Sequence, residues 1–320
     1  MTYVILVIGL LLLLVGANYL VDSSVAIAKR AKMSNFLIGL TIVGIGTSAP
    51  ELYVSLTAAV KGLGDISLGN VVGSNICNIL LILGVTAIVT PFSIERMTLK
   101  RDIPFNIFIS ILLLLICSDT LYSSTANNQI SRFDGIGLMV IFALYMWYTV
   151  KAKDDVEEEY EETATSSLSK CSIWVLIPIV MGSLGALIYG GNLFLDSAIT
   201  LAREIGVSES VISITLVAVG TSLPELITSI IAATKGNAQL ALGNVLGSNI
   251  FNLLLILGLS ATIAPIQITN INMMDFIVLI IASVLTFIAA FTMRKKIVDR
   301  SEGIIFILLY VMYSVYLVMR

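Results

Sequence analysis

The chain has 320 residues, of which 58% are hydrophobic and 12% are charged, and its mean hydropathy is +1.00. Because soluble domains carry roughly 25% charged residues, this composition excludes a water-soluble globular protein and indicates an integral membrane protein. The net charge is −3, and there is no histidine, so zinc sites and histidine proton relays are not expected. Three scattered cysteines predict neither a disulfide framework nor a metal cluster.

Apolar stretches of about 20 residues predict an all-α membrane protein with ten spanning helices. The first stretch lacks the basic flank and cleavage site of a signal peptide, so it is expected to be a retained span. The fifth and sixth stretches are separated by an acidic linker with seven carboxylates, which is expected to be a solvated tether. In chain order the predicted helices cover roughly residues 3–21, 36–60, 67–90, 103–118, 134–150, 173–195, 210–234, 240–264, 275–293 and 302–319.

One motif occurs twice, as GIGTSAPEL at residues 44–52 and as AVGTSLPEL at residues 218–226. The same offset of 174 residues relates a second pair, GNVVGSNI at 69–76 and GNVLGSNI at 243–250. The chain is therefore a duplication with five helices per half. An odd number of helices makes the second copy enter the membrane from the opposite side, which predicts inverted-topology repeats. The predicted division is 1–150 for the first repeat, 151–171 for the linker and 172–320 for the second repeat.

The basic residues test this orientation. Alternate connections beginning with 22–35 contain 14 of the 18 lysines and arginines, and the opposite side with both termini contains 4. Basic residues favour the cytoplasmic side. We therefore expect a multi-pass plasma-membrane protein with both termini outside and the linker in the cytoplasm.

Each copy of the motif places one carboxylate, Glu51 or Glu225, in an otherwise uncharged apolar segment. An ionisable group at the centre of a bilayer costs about 2.5–3.5 kcal/mol even on lenient scales, and it indicates a functional site. A kinked helix with a protonated glutamate explains one copy equally well. The matched pair favours function.

The residues around the two glutamates predict what they bind. Pro50 and Pro224 lack an N–H and release carbonyls one turn earlier in the helix. A threonine and a serine lie four and three residues before each glutamate, on the same face. With the hydroxyls and amides of the second motif, these groups form an oxygen-only set, which suits Ca²⁺ and Na⁺ rather than Zn²⁺ or Cu⁺. One Ca²⁺ or two Na⁺ would neutralise the two carboxylates.

The two motif pairs resemble those of the cation/Ca²⁺ exchanger superfamily, and within it the prokaryotic Na⁺/Ca²⁺ exchangers. The resemblance covers both repeats and the ten-helix plan. It implies a Ca²⁺ site from Glu51, Glu225 and the carbonyls of Thr47 and Thr221. It also implies that the helices at 3–21 and 173–195 form a gating pair that slides against the core. The flanking Na⁺ sites that it implies use Gly44, Ser48, Ser74, Asn78, Ala218, Ser222, Ser248 and Asn252.

The resemblance favours Na⁺-driven Ca²⁺ export and leaves alternatives. Some members of the superfamily carry Asp at the position of Asn252, so the Na⁺ stoichiometry and any use of K⁺ stay open. A Ca²⁺/H⁺ exchanger is the second transporter hypothesis, although proton exchangers resemble a motif with Asn in place of the Thr-Ser-x-Pro run. A non-transporting sensor or an intramembrane enzyme is disfavoured, because no nucleophile–base pair or sensor domain is visible. The expected partners are Ca²⁺, Na⁺ and the lipid bilayer, without cofactor or nucleic acid, and a monomer can suffice.

Three further expectations concern groups that are not assigned to ion binding. Asp22 and Asp196 are expected to be helix-end groups at the membrane interface. Tyr145, Trp147 and Tyr148 are expected to be interfacial anchors. The glycine pairs of the second motif, with small-xxx-small spacing, are expected to let helix backbones approach closely.

Overall fold

The computed structural model describes residues 1–118, 128–151, 168–206, 218–269, 271–292 and 296–319, and the structural statements below refer to these residues. The predicted tether at 152–167 and the start of the predicted seventh span, 210–217, lie outside them. The fold is almost entirely helical, as predicted, and each predicted span contains a helix. The helices are α1 (Thr2–Ala31), α2 (Asn35–Thr47), α3 (Ala49–Val60), α4 (Gly64–Val89), α5 (Ile103–Ile116), α6 (Arg132–Lys151), α7 (Ile173–Glu204), α8 (Ala218–Gly220), α9 (Leu223–Thr234), α10 (Ala238–Ile263), α11 (Met273–Ala289) and α12 (Arg300–Met319).

Six of these helices are long and apolar enough to cross a membrane, and a seventh span results if α2 and α3 act together as one bent span. Helices α9 and α11 are shorter apolar helices. Several helices contain π-helical turns, a feature that is frequent at functional sites. These turns are Gly39–Val43 in α2, Cys77–Ile82 in α4 and Phe251–Ile256 in α10, with a further one, Thr98–Asp102, directly before α5.

Two short antiparallel ribbons join the halves at the helix connections. Strand β1 (Phe92–Ser93) pairs with β4 (Ile297–Val298), and Phe92 lies opposite Val298. Strand β2 (Gln129–Ile130) pairs with β3 (Ile266–Gln267), and Ile130 lies opposite Ile266. Each ribbon thus ties a loop of the first half to a loop of the second.

Helices α1 and α7 pack against each other and form most of a second apolar cluster, which also includes residues of α2, α9 and α10 and is distinct from the larger core. Glycines let the two backbones touch. A Cβ atom on Gly9 would lie 2.7 Å from the amide N of Phe194, and one on Gly16 would lie 2.9 Å from the carbonyl O of Ser183. This α1–α7 pair coincides with the two helices that the resemblance assigns to gating.

The expectation for Asp22 and Asp196 is wrong in its geometry. Helix α1 continues to Ala31 and α7 to Glu204, so both aspartates lie inside long helices rather than at helix ends. The sequence-based ends were placed where the apolar run stops. The helices extend beyond that point, and in α1 the residues from Ser23 to Ala28 are all buried.

The interfacial expectation is also wrong for Tyr145. Its side chain is only 5% exposed, its hydroxyl donates to Asp102 Oδ1 at 2.7 Å, and its ring stacks on Phe105 with centroids 4.2 Å apart. Burial gives the phenol a carboxylate partner inside the helix bundle. Trp147 and Tyr148 are exposed.

Candidate functional site

Each copy of the repeated motif lies at a break between two helices. Helices α2 and α3 meet at Ser48, which has φ −81° and ψ 10°, and their axes differ by 48°. Pro50 lies in the first turn of α3, where a missing N–H is harmless. Ser222, with φ −89° and ψ 8°, forms the equivalent break before α9, and Pro224 lies in the first turn of α9. The predicted interruption by proline is therefore present in both halves.

The breaks place the two glutamates at helix N-termini. Glu51 lies in the first turn of α3 and Glu225 in the first turn of α9. Both side chains are buried, with exposures of 0% and 1%. The partial positive charge of a helix N-terminus stabilises a carboxylate there, so the backbone supports two acidic groups in an apolar interior.

Each glutamate is held by a serine from the other half of the chain. Ser48 Oγ donates to Glu225 Oε1 at 3.0 Å, and Ser222 Oγ donates to Glu51 Oε1 at 3.3 Å. The second oxygens, Glu51 Oε2 and Glu225 Oε2, are buried and make no hydrogen bond. The two motifs, 174 residues apart, thus form one site with two carboxylate oxygens available to a ligand.

An asparagine supports each glutamate-bearing turn from outside the site. Asn70 Nδ2 donates to the Glu51 carbonyl O at 3.3 Å and to Ser55 Oγ at 2.9 Å. Asn244 Nδ2 donates equivalently to the Glu225 carbonyl O at 3.3 Å and to Ser229 Oγ at 2.9 Å. Both asparagines belong to the duplicated second motif, and the sequence alone indicates no role for them.

Helix α10 packs directly against α2, as its glycines predicted. A Cβ atom on Gly243 would lie 2.2 Å from the carbonyl O of Phe36, and one on Gly247 would lie 2.4 Å from that of Leu40. A Cβ atom on Gly69 or Gly73, the first pair, would have no neighbouring atom of the described residues within 4 Å. The predicted close approach of helix backbones is therefore not confirmed at that pair. The segment that the repeat would place beside that pair, 210–214, lies outside the described residues.

The contact between α10 and α2 also places the predicted ligands of the first half. Thr47 Oγ1 donates to the carbonyl O of Val43 at 3.0 Å and lies 3.1 Å from Asn244 Oδ1. Ser248 Oγ donates to the carbonyl O of Gly44 at 3.3 Å. These bonds hold the chain around the first break in one arrangement.

Most predicted site residues are buried in the middle of the helix bundle. Thr221 is half-buried, and Ala218 belongs to α8, although its side chain is outside the described atoms. Asn75 and Asn249, which sequence reasoning did not select, also lie in this buried polar layer. The signal that they offered was their place in the duplicated GSNI motif. The buried predicted residues are Gly44, Thr47, Ser48, Glu51, Ser74, Asn78, Ser222, Glu225, Ser248 and Asn252.

The donor set is rich in neutral oxygens and poor in charge. Among the described residues, no group of three or more His, Cys, Asp or Glu side chains could hold a metal ion. A cation here would be bound by two carboxylates, hydroxyls, amides and carbonyls. This chemistry fits hard cations such as Ca²⁺ and Na⁺.

A cavity of ≈ 430 Å³ lies beside the site on one side of the breaks. Its lining includes Pro50, Thr221 and Tyr53, the last of which is 73% exposed. Residues of α7 complete the wall, including Asn192 and Leu195. The cavity is thus lined both by the exposed Tyr53 and by Pro50 and Pro224, which directly precede the two glutamates.

Comparison with known proteins agrees with this geometry. The chain is 32% identical over 348 residues to the sodium/calcium exchanger MaX1 of Methanosarcina acetivorans, covering 98% of both chains. It is 33% identical over 291 residues to the inner membrane protein YrbG of Escherichia coli, covering 88% of this chain and 86% of YrbG. Its fold matches the structure of the sodium-calcium exchanger NCX_Mj soaked with zero Na⁺ and Ca²⁺ with a TM-score of 0.82 at 32% identity, covering 99% of this chain and 98% of the other.

The family model described as sodium/calcium exchanger protein matches residues 1–151 and 175–319. These two segments contain both motifs and both glutamates and cover most of the chain, and the chain therefore belongs to the sodium/calcium exchanger protein family.

Proposed function

We propose that this protein is a secondary active antiporter that exchanges Na⁺ for Ca²⁺ by alternating access and exports Ca²⁺ from the cell. The observation that carries the proposal is the reciprocal pair of hydrogen bonds, Ser48 to Glu225 and Ser222 to Glu51. These bonds bring one buried carboxylate from each half into a single site. The names of MaX1 and NCX_Mj support the same substrates.

We assign the Ca²⁺ site to Glu51, Glu225 and the carbonyls of Thr47 and Thr221. Two bidentate glutamates and two carbonyls would supply six oxygens, within the roughly 6–8 that Ca²⁺ takes. One Ca²⁺ neutralises both carboxylates. The flanking Na⁺ ligands are Gly44, Ser48, Ser74, Asn78, Ala218, Ser222, Ser248 and Asn252.

Charge neutralisation explains why transport would be an exchange. Two ionised glutamates in an empty site are expensive to move through a low-dielectric interior. Loading with one Ca²⁺ or two Na⁺ removes that net charge. The site therefore changes the side to which it is open when it is loaded and resists the change when it is empty. Because both ions need Glu51 and Glu225, they compete.

The alternating movement would follow from inverted five-helix repeats, 1–150 and 172–320, with ten membrane crossings. In this proposal the α1–α7 pair slides against the remaining helices. The distribution of basic residues supports a plasma-membrane protein with both termini outside and the linker in the cytoplasm. The cavity at Tyr53 then opens toward the outside.

Uptake of radiolabelled Ca²⁺ into liposomes that contain the purified protein tests the driving ion. Na⁺-loaded liposomes are expected to accumulate Ca²⁺, whereas Na⁺-free liposomes with an imposed pH gradient are not. Equal uptake driven by protons would replace this proposal with a Ca²⁺/H⁺ exchanger. Uptake that requires K⁺ as well as Na⁺ would replace it with a K⁺-dependent exchanger.

Labelling tests the orientation. A single cysteine in residues 154–162 should react with a membrane-impermeant reagent only from the cytoplasmic side. Labelling of sealed, right-side-out cells from the outside would contradict the inverted arrangement.

A further inference from the structure

Four asparagines form a buried layer where α4 and α10 pass each other. Asn75 and Asn78 belong to α4, and Asn249 and Asn252 belong to α10. Each of the four is at most 1% exposed. The outer pair, Asn78 and Asn252, lies within the two π-helical turns, whereas Asn75 and Asn249 precede those turns in regular helix.

The amides are paired across the two halves. Asn78 Nδ2 donates to Asn249 Oδ1 at 3.0 Å, and Asn252 Nδ2 donates to Asn75 Oδ1 at 3.2 Å. Asn75 Nδ2 in addition donates to the Asn249 carbonyl O at 3.5 Å. Each asparagine in a π turn therefore gives its N–H to an asparagine that precedes the π turn of the opposite half.

This pairing leaves two oxygens available. Asn78 Oδ1 and Asn252 Oδ1 are buried and have no hydrogen-bond partner among the described residues, as is true of the second oxygens of both glutamates. An amide has one accepting and one donating end. Once its N–H₂ group is engaged by a neighbour, its oxygen is the end that faces elsewhere.

The arrangement of the four amides has a cost in free energy. Asn249 Nδ2 is also buried without a partner among the described residues, and an unsatisfied buried donor is unfavourable. Rotating the Asn249 amide would turn its oxygen away from Asn78 Nδ2. In the present orientation Asn249 offers its oxygen to Asn78 and leaves its own N–H₂ group without a partner among the described residues.

We propose that Asn75 and Asn249 are positioning residues for Na⁺: they accept hydrogen bonds from Asn252 and Asn78 and thereby fix the amide oxygens of those residues toward the ion. This inference rests on the proposed function, which assigns Asn78 and Asn252 to Na⁺. Without the accepting oxygen, either amide would be free to rotate and present its positive N–H₂ end to the cation. Outer partners of this kind typically change metal affinity by 10–100-fold.

The test measures Na⁺ and Ca²⁺ dependence separately in liposomes. Asn249→Leu removes the acceptor, and we expect the Na⁺ concentration for half-maximal exchange to rise about tenfold with little change in that for Ca²⁺. Asn249→Asp keeps an accepting oxygen at the same size and should remain closer to the parent. In an Asn78→Ala background, Asn249→Leu should add no further Na⁺ effect, because it acts through Asn78. Asn75→Leu and Asn252→Ala repeat the test in the other half.

Several outcomes overturn the inference. Equal losses of Na⁺ and Ca²⁺ affinity, or an additive loss in the Asn78→Ala background, would mean a general packing role. If the leucine variants do not give monodisperse protein, Asn249→Asp decides, and a tenfold loss of Na⁺ affinity in this variant contradicts the inference. A parent protein that shows no Na⁺-dependent uptake refutes the proposed function instead. Na⁺-induced thermal stabilisation gives a second, binding-only readout for each variant.

Discussion

Lys61 and Lys235 occupy the same position in the two repeats and have different surroundings. Lys235 Nζ lies 2.6 Å from Asp22 Oδ1 and donates to the Asn18 carbonyl O at 3.3 Å, which ties the end of α9 to α1. The equivalent pair in the repeat is Lys61 and Asp196. Both side chains are exposed, and within the described part of the chain they form no ion pair. The same residue pattern is therefore closed by an ion pair at the end of the molecule that contains Asp22 and Lys235, and has no ion pair at the end that contains Lys61 and Asp196.

The two threonines of the motifs differ in the same direction. Thr47 is fully buried, and its hydroxyl forms a hydrogen bond with Asn244 Oδ1. Thr221, in contrast, is half-buried and lines the cavity. In the alternating cycle proposed above, this asymmetry corresponds to one conformational state: the contact between Asp22 and Lys235 is formed, whereas the equivalent contact between Asp196 and Lys61 is absent among the described residues.

The largest expected effect is common to both halves. Glu51→Gln and Glu225→Gln should each lower Ca²⁺ transport by about 100-fold or more, because each removes a charge and a bidentate ligand at nearly constant volume. Radiolabelled Ca²⁺ uptake measures the loss. Glu204→Gln, an exposed carboxylate at the end of α7, is the matched control and should transport normally. Near-normal exchange by either glutamine variant would favour the kinked-helix interpretation.

A smaller effect on Ca²⁺ affinity should distinguish Asn70 and Asn244, the asparagines that bond to the two glutamate-bearing turns. Asn244→Ala removes bonds to Glu225 and Ser229 and the contact with Thr47, whereas Asn70→Ala removes only bonds to Glu51 and Ser55. We expect the Ca²⁺ concentration for half-maximal uptake to rise about tenfold for Asn244→Ala and less for Asn70→Ala. Equal effects would mean that the contact with Thr47 contributes nothing to Ca²⁺ binding.

The helical membrane fold and the two buried glutamates are predictable from the sequence, and the duplication is read from it directly, because each has a local signal. An apolar run, a duplicated motif and an isolated charge are visible without any knowledge of packing. Partners distant in sequence were not visible. Tyr145 was placed at the interface because nothing near it shows that Asp102, 43 residues earlier, lies against its hydroxyl. Nor does a duplicated pattern indicate which of two equivalent contacts is formed.

The smallest expected effect concerns the ion pair between Lys235 and Asp22. Its side chains are 28% and 24% exposed, and partly exposed pairs contribute about 0.2–1 kcal/mol. Lys235→Gln should therefore shift the equilibrium between the two access states up to about fivefold. The favoured state is the one in which Asp22 and Lys235 are separated. A reporter for that state is Ile227, the repeat counterpart of Tyr53. Ile227→Cys, in a background without native cysteines, should react faster with a reagent on the cytoplasmic side when Lys235 is replaced.

Lys61→Gln is the control that makes the comparison decisive. In the opposite state Lys61 is expected to approach Asp196, so its replacement should disfavour that state and slow the labelling of the Ile227→Cys reporter. The two lysine substitutions remove the same charge and are expected to act with opposite signs, which a general electrostatic effect would not produce. The difference between them should shrink at high ionic strength, because salt screens exposed pairs. Labelling rates that change in the same direction for both variants would show that the two ends do not alternate through these residues.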